Sequence, residues 1–114
     1  MSQHPKQPSV YILASRPNGT LYIGVTSVLF DRMMVHRRGL REGFTKRHGV
    51  HRLVYHELHP TMRAAIRREK QLKKWNRLWK IRLIEQMNPT WSDLFDEETG
   101  IAATGPSGQV PMSR

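Results

Sequence analysis

The sequence has 114 residues, a formal net charge of +10 from 19 Lys and Arg against 9 Asp and Glu, and no cysteine. The length fits one domain with a modest core. The lack of cysteine excludes disulfides, thiolate nucleophiles and cysteine-based zinc sites. The charge favours a polyanionic partner, most simply nucleic acid. An anionic membrane surface is the competing partner, and it would need a dedicated amphipathic helix or a lipidation signal.

No stretch approaches transmembrane length, and the first residues carry no apolar signal segment. We therefore expect a cytoplasmic protein with access to the nucleoid and no membrane partner. Residues 1–8 are polar and contain two prolines, which indicates a flexible arm. From residue 96 onward small residues, Gly and Pro dominate, so 96–114 is predicted to be a disordered tail. Residues 9–95 form the predicted domain.

Residues 9–24 predict a β-hairpin, because two runs rich in β-branched and aromatic residues flank a Pro-Asn-Gly turn. If residues 16–19 form the loop, Tyr11 lies opposite Gly24, and Tyr11 and Tyr22 share one face of the sheet. A loop with an odd number of residues would separate the two tyrosines. In the alternative interpretation they merely cover the sheet. The other face is apolar and consists of Val10, Ile12, Leu21 and Ile23.

The rest of the domain predicts three helices and one more strand. Thr26 and Ser27 are candidate caps for a helix over 28–38, on which Arg32 and His36 are four residues apart and share a face. The predicted elements that follow are a basic loop over 39–51, a strand over 53–58, a helix over 61–74 capped by Thr61, and a helix over 75–86 that ends before Asn88-Pro89. The fold class is thus α+β, a three-stranded antiparallel sheet flanked by helices, with Trp91, Leu94 and Phe95 folded back onto the core.

Glu69 falls within the apolar stripe of the helix over 61–74, three residues from both Ile66 and Leu72. The stripe also contains Met62 and Ala65, and Trp75, Leu78 and Trp79 are predicted to continue inward. A carboxylate among apolar residues is costly unless it is paired or binds a cation. One interpretation is an ordinary ion pair with a neighbouring Lys or Arg. The other is a ligand for a magnesium-like ion that keeps most of its waters.

Several spaced motifs together resemble the GIY-YIG nuclease superfamily. They are two tyrosines with ten residues between them, the second in Tyr-Ile-Gly, then an arginine on the following helix, and a glutamate in Arg-Arg-Glu-Lys-Gln-Leu-Lys-Lys-Trp. The likeness runs from about residue 9 to 95 and looks closest to the small stand-alone bacterial branch of the superfamily. The sequence departs from the first motif because Ser9-Val10-Tyr11 replaces Gly-Ile-Tyr.

The resemblance implies roles for six residues. Tyr11 and Tyr22 would line the active site, Arg32 would bind the scissile phosphate, and Glu69 would hold one divalent metal ion, Mg²⁺ or Mn²⁺. His36 and Asn88 would be supporting positions. From the residues themselves, Arg32 could stack or pair anywhere, and as chemistry it would clamp a phosphate. His36 could orient a water or contact phosphate, but a lone His is more often an ordinary surface or core residue. Asn88 is most economically a helix-ending residue. The remaining histidines lack a convincing ligand set, so zinc is not expected.

The leading hypothesis is a metal-dependent endonuclease that hydrolyses phosphodiester bonds, in DNA rather than RNA, with tyrosine-assisted activation of water. The alternative is a non-catalytic DNA- or RNA-binding module of the same fold. A third hypothesis, a basic protein of the ribosome or membrane surface, leaves the position of Glu69 unexplained. Cutting both strands would favour a homodimer, and a lone domain would draw specificity from a protein partner or show weak structure or sequence selectivity. The predicted nucleic-acid-binding residues are Lys46, Arg47, Arg63, Arg67, Lys70 and Lys74.

Overall fold

The computed structural model describes residues 4–39 and 43–102. The elements in chain order are β1 (Ser9–Ala14), β2 (Leu21–Thr26), α1 (Leu29–Arg37), α2 (Phe44–His48), β3 (Arg52–Leu58), α3 (Met62–Lys74), α4 (Arg77–Met87), β4 (Phe95–Asp96) and β5 (Gly100–Ile101). The first three strands form an antiparallel sheet in the order β2-β1-β3. With four helices around that sheet, the predicted α+β class is confirmed.

The β1–β2 hairpin has the predicted register. Tyr11 pairs with Gly24 and Leu13 pairs with Tyr22. Asn18 takes a positive φ of 59°, and the backbone N–H of Gly19 donates to the carbonyl of Arg16 over 2.8 Å. Asn tolerates this left-handed conformation better than most residues, so the local turn chemistry sets which side chains face each side of the sheet.

The sheet has two buried faces, and each is covered by different elements. The side with Val10 and Ile12 packs against α3 and α4, through Ala65, Leu72 and Ile84. The opposite side packs against α1 and the segment after α4, through Tyr11, Leu13, Leu29, Met33, Leu94 and Phe95. Burial of both faces explains why every residue of β1, the central strand, is buried and why its run from Val10 to Ala14 does not alternate between apolar and charged residues.

Helix α3 begins with the predicted N-cap, whereas helix α1 does not. Thr61 accepts a hydrogen bond from the N–H of Ala64 over 3.1 Å, which confirms the predicted cap of α3. The predicted cap of α1 is wrong, because Val28 occupies that position without a side-chain hydrogen bond. Thr26 instead accepts from the N–H of Val28 over 3.2 Å and fixes the turn before the helix.

The predicted inward positions of Leu78 and Trp79 are wrong, since these side chains are 54% and 51% exposed. Helix α3 stops at Trp75, whose backbone is extended, and α4 begins afresh with Asn76 as its cap. This break resets the helical phase, so that Ile84 rather than Trp79 faces the sheet. Ile66 of the predicted stripe is also partly exposed, at 38%.

Both ends of the predicted domain extend further than expected. Strands β4 and β5 form a small hairpin within the predicted tail, and the Ala102 N–H donates to the carbonyl of Leu94 over 2.8 Å. The Asp96 carboxylate accepts from the N–H of Thr99 and of Glu98, and these bonds lower its pKa. In the predicted arm, the Gln7 N–H donates to the carbonyl of Ser27 over 2.6 Å. Residues 1–3 and 103–114 lie outside the described residues.

Candidate active site

Three aromatic side chains meet on the α1 side of the sheet. The ring centres of Tyr11 and Tyr22 are 6.3 Å apart, and His36 of α1 lies 5.9 Å from the first and 5.8 Å from the second. The Tyr11 hydroxyl is 3.1 Å from Nε2 of His36. The hairpin register and one turn of α1 thus bring together three residues that the sequence places in separate segments.

Gly24 makes this arrangement possible. The ring of Tyr11 crosses onto the facing strand and lies directly over Gly24, where a Cβ atom would overlap the phenol oxygen and its ring carbon. Any side chain at this position would therefore displace Tyr11 from His36. The close approach of side chain to backbone is the reason for glycine in the Tyr-Ile-Gly motif.

Burial raises the pKa of Tyr11 to about 12, helped by the neighbouring Tyr22 and opposed by the charge and hydrogen bonding of Arg32. Tyr11 is therefore a neutral phenol at pH 7 and a proton donor. Its O–H can donate to Nε2 of His36, while Nδ1–H of His36 donates to Oγ1 of Thr45 over 3.2 Å. This assignment satisfies both ring nitrogens and ties helix α2 to the site.

The charges of Arg32 and Glu69 both act on the pKa of Tyr11, which Arg32 lowers and Glu69 raises. Arg32 also lines an open cleft of about 300 Å³ between the end of β2 and α1. Glu69 lies on α3, which packs against β2, the edge strand. Its side chain is 15% exposed, and Oε2 is 3.2 Å from Nζ of Lys73. The ordinary i,i+4 ion pair is thus present, in a carboxylate whose charge also acts on Tyr11.

A second cleft of about 300 Å³ opens beside Tyr22 along β2, with Leu21, Ile23, Lys73 and Lys80 as its other lining residues. Sequence reasoning missed Lys73 and Lys80 as parts of the site, and also missed Thr45. For Lys73, the four-residue spacing from Glu69 could have indicated that the two side chains lie close together. Lys80 and Thr45 gave no such signal, because only the packing of α4 and α2 brings them to the site.

The residues around Glu69 fit a largely hydrated divalent ion better than a tightly chelated one. No three His, Asp or Glu side chains among the described residues come together as a metal site. A single carboxylate matches the way Mg²⁺ is held by one acidic side chain, substrate phosphate and water. The Glu69–Lys73 ion pair would open to admit such an ion.

Ser9, which replaces the Gly of the first motif, does not disturb strand β1. Ser9 pairs regularly with Thr26 on one side and Leu58 on the other. Its hydroxyl donates to the carbonyl of Gln7 over 2.9 Å. The strand neither bulges nor needs a positive φ at this residue, so glycine has no conformational role there.

Asn88 is bonded to backbone groups rather than to the aromatic group. It is completely buried, and its Nδ2 donates to the carbonyls of Val54 and Ser92 over 3.2 and 2.7 Å. Its Oδ1 accepts from the N–H of Ser92 over 3.1 Å. Val54 is the extra residue of a β-bulge, since Ile12 pairs with Tyr55 and Leu13 with Leu53. Asn88 therefore satisfies the irregular part of β3, and a supporting role in catalysis would act through that backbone.

We expect Asn88→Ala to lower the free energy of unfolding by about 2–3 kcal/mol, because it leaves the buried Val54 carbonyl and the loop at Ser92 without partners. Thr90→Ala, in the same loop, removes only an exposed bond to the Ser92 hydroxyl and should cost less than about 0.5 kcal/mol. Urea unfolding followed by the fluorescence of the buried Trp91 measures both. Equal, small effects would contradict a structural role for Asn88.

The predicted nucleic-acid-binding side chains are all on the surface. Arg63, Arg67, Lys70 and Lys74 form an exposed row on α3, and Lys46 and Arg47 are exposed on α2. The second pair follows Thr45, through which helix α2 contacts His36. No helix in the described part of the chain is long and apolar enough to cross a membrane.

Comparison with known proteins shows the family of the chain. A family model described as the GIY-YIG catalytic domain matches residues 7–82. A UPF0213 protein of Staphylococcus aureus is 38% identical over 78 residues, covering 68% of this chain and 93% of that protein. A UPF0213 protein of Bacillus pumilus is 37% identical over 70 residues, or 61% and 71%.

Among solved structures, the solution NMR structure of a UPF0213 protein from Bacillus halodurans is 30% identical, with a TM-score of 0.44, and the match covers 69% of this chain and 83% of that one. The family model spans more than half of the chain, and it includes Tyr11, Tyr22, Arg32, His36 and Glu69. The chain belongs to the GIY-YIG nuclease family, within the small proteins named UPF0213.

Proposed function

We propose that this protein is a metal-dependent endonuclease that hydrolyses phosphodiester bonds in nucleic acid, DNA in preference to RNA. The observation that carries the proposal is the convergence of Tyr11, Tyr22 and His36, with Arg32 and Glu69 beside them. An ordinary structural aromatic cluster has no need of a guanidinium and a carboxylate at its edge. Phosphodiester hydrolysis uses both, one for the phosphate oxygens and one for a metal ion.

Water activation in this proposal uses Tyr11 as a relay. A phenol with a pKa near 12 is a poor base unless its own proton has an acceptor. Nε2 of His36 is that acceptor, at 3.1 Å. As Tyr11 takes a proton from the attacking water, its hydroxyl proton passes to His36, and Thr45 holds the imidazole in place through Nδ1.

The other residues position the phosphate. Arg32 contacts its equatorial oxygens and stabilises the charge that develops on them. Tyr22, whose ring contacts both Tyr11 and His36, would orient the water or a phosphate oxygen through its hydroxyl. Glu69 would hold one Mg²⁺ or Mn²⁺ ion. When bound, such an ion supplies Lewis-acid stabilisation of the leaving oxygen.

The binding partner and the setting follow from the same proposal. The exposed basic side chains of α2 and α3 would hold the backbone on either side of the cut, and this would happen in the cytoplasm of a bacterium. One active site cuts one strand at a time, so double-strand cleavage would favour a homodimer, and a protein partner would supply targeting. A non-catalytic binding module is the second candidate, favoured by the Glu69–Lys73 ion pair, which satisfies Glu69 without a metal.

The deciding experiment is cleavage of end-labelled single-stranded, duplex, branched and nicked DNA and of RNA, in Mg²⁺ or Mn²⁺ and in EDTA. We expect cleavage that stops in EDTA and falls about a hundredfold in Tyr22→Phe, which keeps the ring but removes the hydroxyl. Binding measured in EDTA should be unchanged by that substitution. Salt-sensitive binding with no cleavage of any substrate would contradict the enzyme and support the binding module.

A further inference from the structure

Two tryptophans form an exposed aromatic pair at the junction of α3 and α4. Their rings, from Trp75 and Trp79, meet edge to face at 88°, with centres 5.8 Å apart. Trp75 is half-buried against the core, whereas Trp79 is 51% exposed. Large exposed aromatic side chains on a small soluble domain commonly mark a binding surface.

Trp75 is held in place by its surroundings. The Arg68 guanidinium lies over its ring, 5.2 Å from the centre. Nε of Arg68 donates to Glu57 over 2.8 Å, and a terminal nitrogen donates to Gln71 over 2.7 Å. Trp79 therefore rests on a fixed support, and the loss of conformational entropy when a ligand stacks on it is small.

An open cleft of about 350 Å³ lies at this pair, with Arg82, Leu83 and Gln86 as its other lining residues. An aromatic face next to a guanidinium and an amide is the combination that proteins use to stack an unpaired base. A second copy of this chain suits the surface poorly. In a symmetric contact the cationic side chains around it, Lys74, Arg77, Lys80 and Arg82, would face one another.

Consecutive residues of α4, Trp79 and Lys80, line the aromatic cleft and the cleft beside Tyr22. Lys80, the residue after Trp79, lines the cleft beside Tyr22 together with Lys73. A nucleic-acid strand that leaves Tyr22 along the edge strand β2 would pass these two ammonium groups. Trp79 precedes Lys80 on α4 and lines the aromatic cleft.

We propose that Trp79 stacks an unpaired base of the bound strand, so that the substrate class is nucleic acid with a single-stranded segment next to the scissile phosphate. This inference rests on the proposed function for the position of that phosphate. Lys73 and Lys80 contact the backbone between the two sites, and Arg82 contacts the strand beyond the stacked base. Duplex on both sides of the cut would leave the aromatic cleft without a base to bind.

The test is equilibrium binding by fluorescence anisotropy in EDTA, where no cutting occurs. The probes are a blunt duplex, the same duplex with a short 5′ or 3′ oligothymidine extension, and that extension with abasic nucleotides. We expect one extension to tighten binding about tenfold, and the abasic form or Trp79→Ala to remove that gain. Trp79→Phe should retain most of it. Leu78→Ala is the matched control, since Leu78 is equally exposed but does not line the cleft.

Four results would overturn the inference. They are an extension with no effect on affinity, an abasic extension that binds as tightly as the normal one, an equal loss for Trp79→Ala and Leu78→Ala, and a concentration-dependent dimer that Trp79→Ala dissociates. Cleavage in Mg²⁺, measured on the same probes, tests the proposed function separately. Base stacking on Trp79 without cleavage would support the stacking site and contradict the nuclease. Cleavage at a rate that depends neither on the extension nor on Trp79 would support the nuclease and contradict the stacking site.

Discussion

Glu69→Gln is expected to lower the rate of Mg²⁺-dependent cleavage by about a thousandfold while leaving the domain almost as stable as before. The charge of Glu69 acts on Tyr11, and a neutral amide is a much poorer ligand for a hydrated divalent ion. Losing the several kcal/mol that the ion contributes to the transition state gives a change of this size. The ion pair with Lys73, whose side chain is 54% exposed, adds less than about 0.5 kcal/mol.

Glu57→Gln is the matched control, because it makes the same chemical change in another carboxylate. Glu57 lies on β3 opposite Val10, on the face of the sheet that does not carry Tyr11. Glu57 accepts hydrogen bonds from Tyr55, His59 and Arg68. Burial opposes its charge, but these three donors together lower its pKa. The substitution should lower the free energy of unfolding by about 1–3 kcal/mol and leave cleavage unchanged in the folded protein.

Glu69→Gln should therefore lose cleavage and keep its stability, whereas Glu57→Gln should lose stability and keep cleavage. Urea unfolding and initial cleavage rates over a range of Mg²⁺ concentrations measure both properties of each variant. If Glu69 is only a member of a helix ion pair, Glu69→Gln will cut as fast as the unmodified protein. If the loss of cleavage reflects general destabilisation, Glu57→Gln will lose more activity than Glu69→Gln. Either result would contradict Glu69 as the metal ligand.

Gly24→Ala is expected to lower cleavage about a hundredfold, although the change adds one methyl group far from solvent. The new Cβ would overlap the Tyr11 phenol, so the ring must move off His36 or the strands must separate. A displacement of about 1 Å in a reacting group can cost a factor of this order. Overpacking of this kind also lowers the free energy of unfolding by about 1–3 kcal/mol.

Val25→Ala separates the two effects, because Val25 is the next residue of β2 and packs on the opposite face of the sheet. It should destabilise the domain comparably and leave the rate of cleavage within about twofold. Thermal unfolding and cleavage at a temperature where each variant is folded provide the comparison. Gly24→Ala with full activity would mean that the position of Tyr11 over Gly24 does not matter for the reaction.

The sequence by itself determined the hairpin and much of the aromatic group. Asn18 and Gly19 set the turn, the turn sets the register, and strand alternation then places Tyr11 and Tyr22 on one face. The four-residue spacing of Arg32 and His36 likewise put both on one side of α1. These features depend on local chemistry and on the two regular periods of secondary structure, so they can be inferred without knowledge of distant contacts.

Other features of the site were decided only by tertiary structure. The bulge at Val54 explains why Asn88 is buried and bonded to backbone. The fresh start of α4 at Asn76 turns Trp79 outward, and the packing of α2 brings Thr45 to His36. Each of these depends on contacts between parts of the chain that are distant in sequence. They involve the backbone of the bulge in β3, the packing of α4 after its new start, and the docking of the short helix α2. Local propensity and periodicity do not predict contacts of this kind, because the contacts form only when the whole chain is folded.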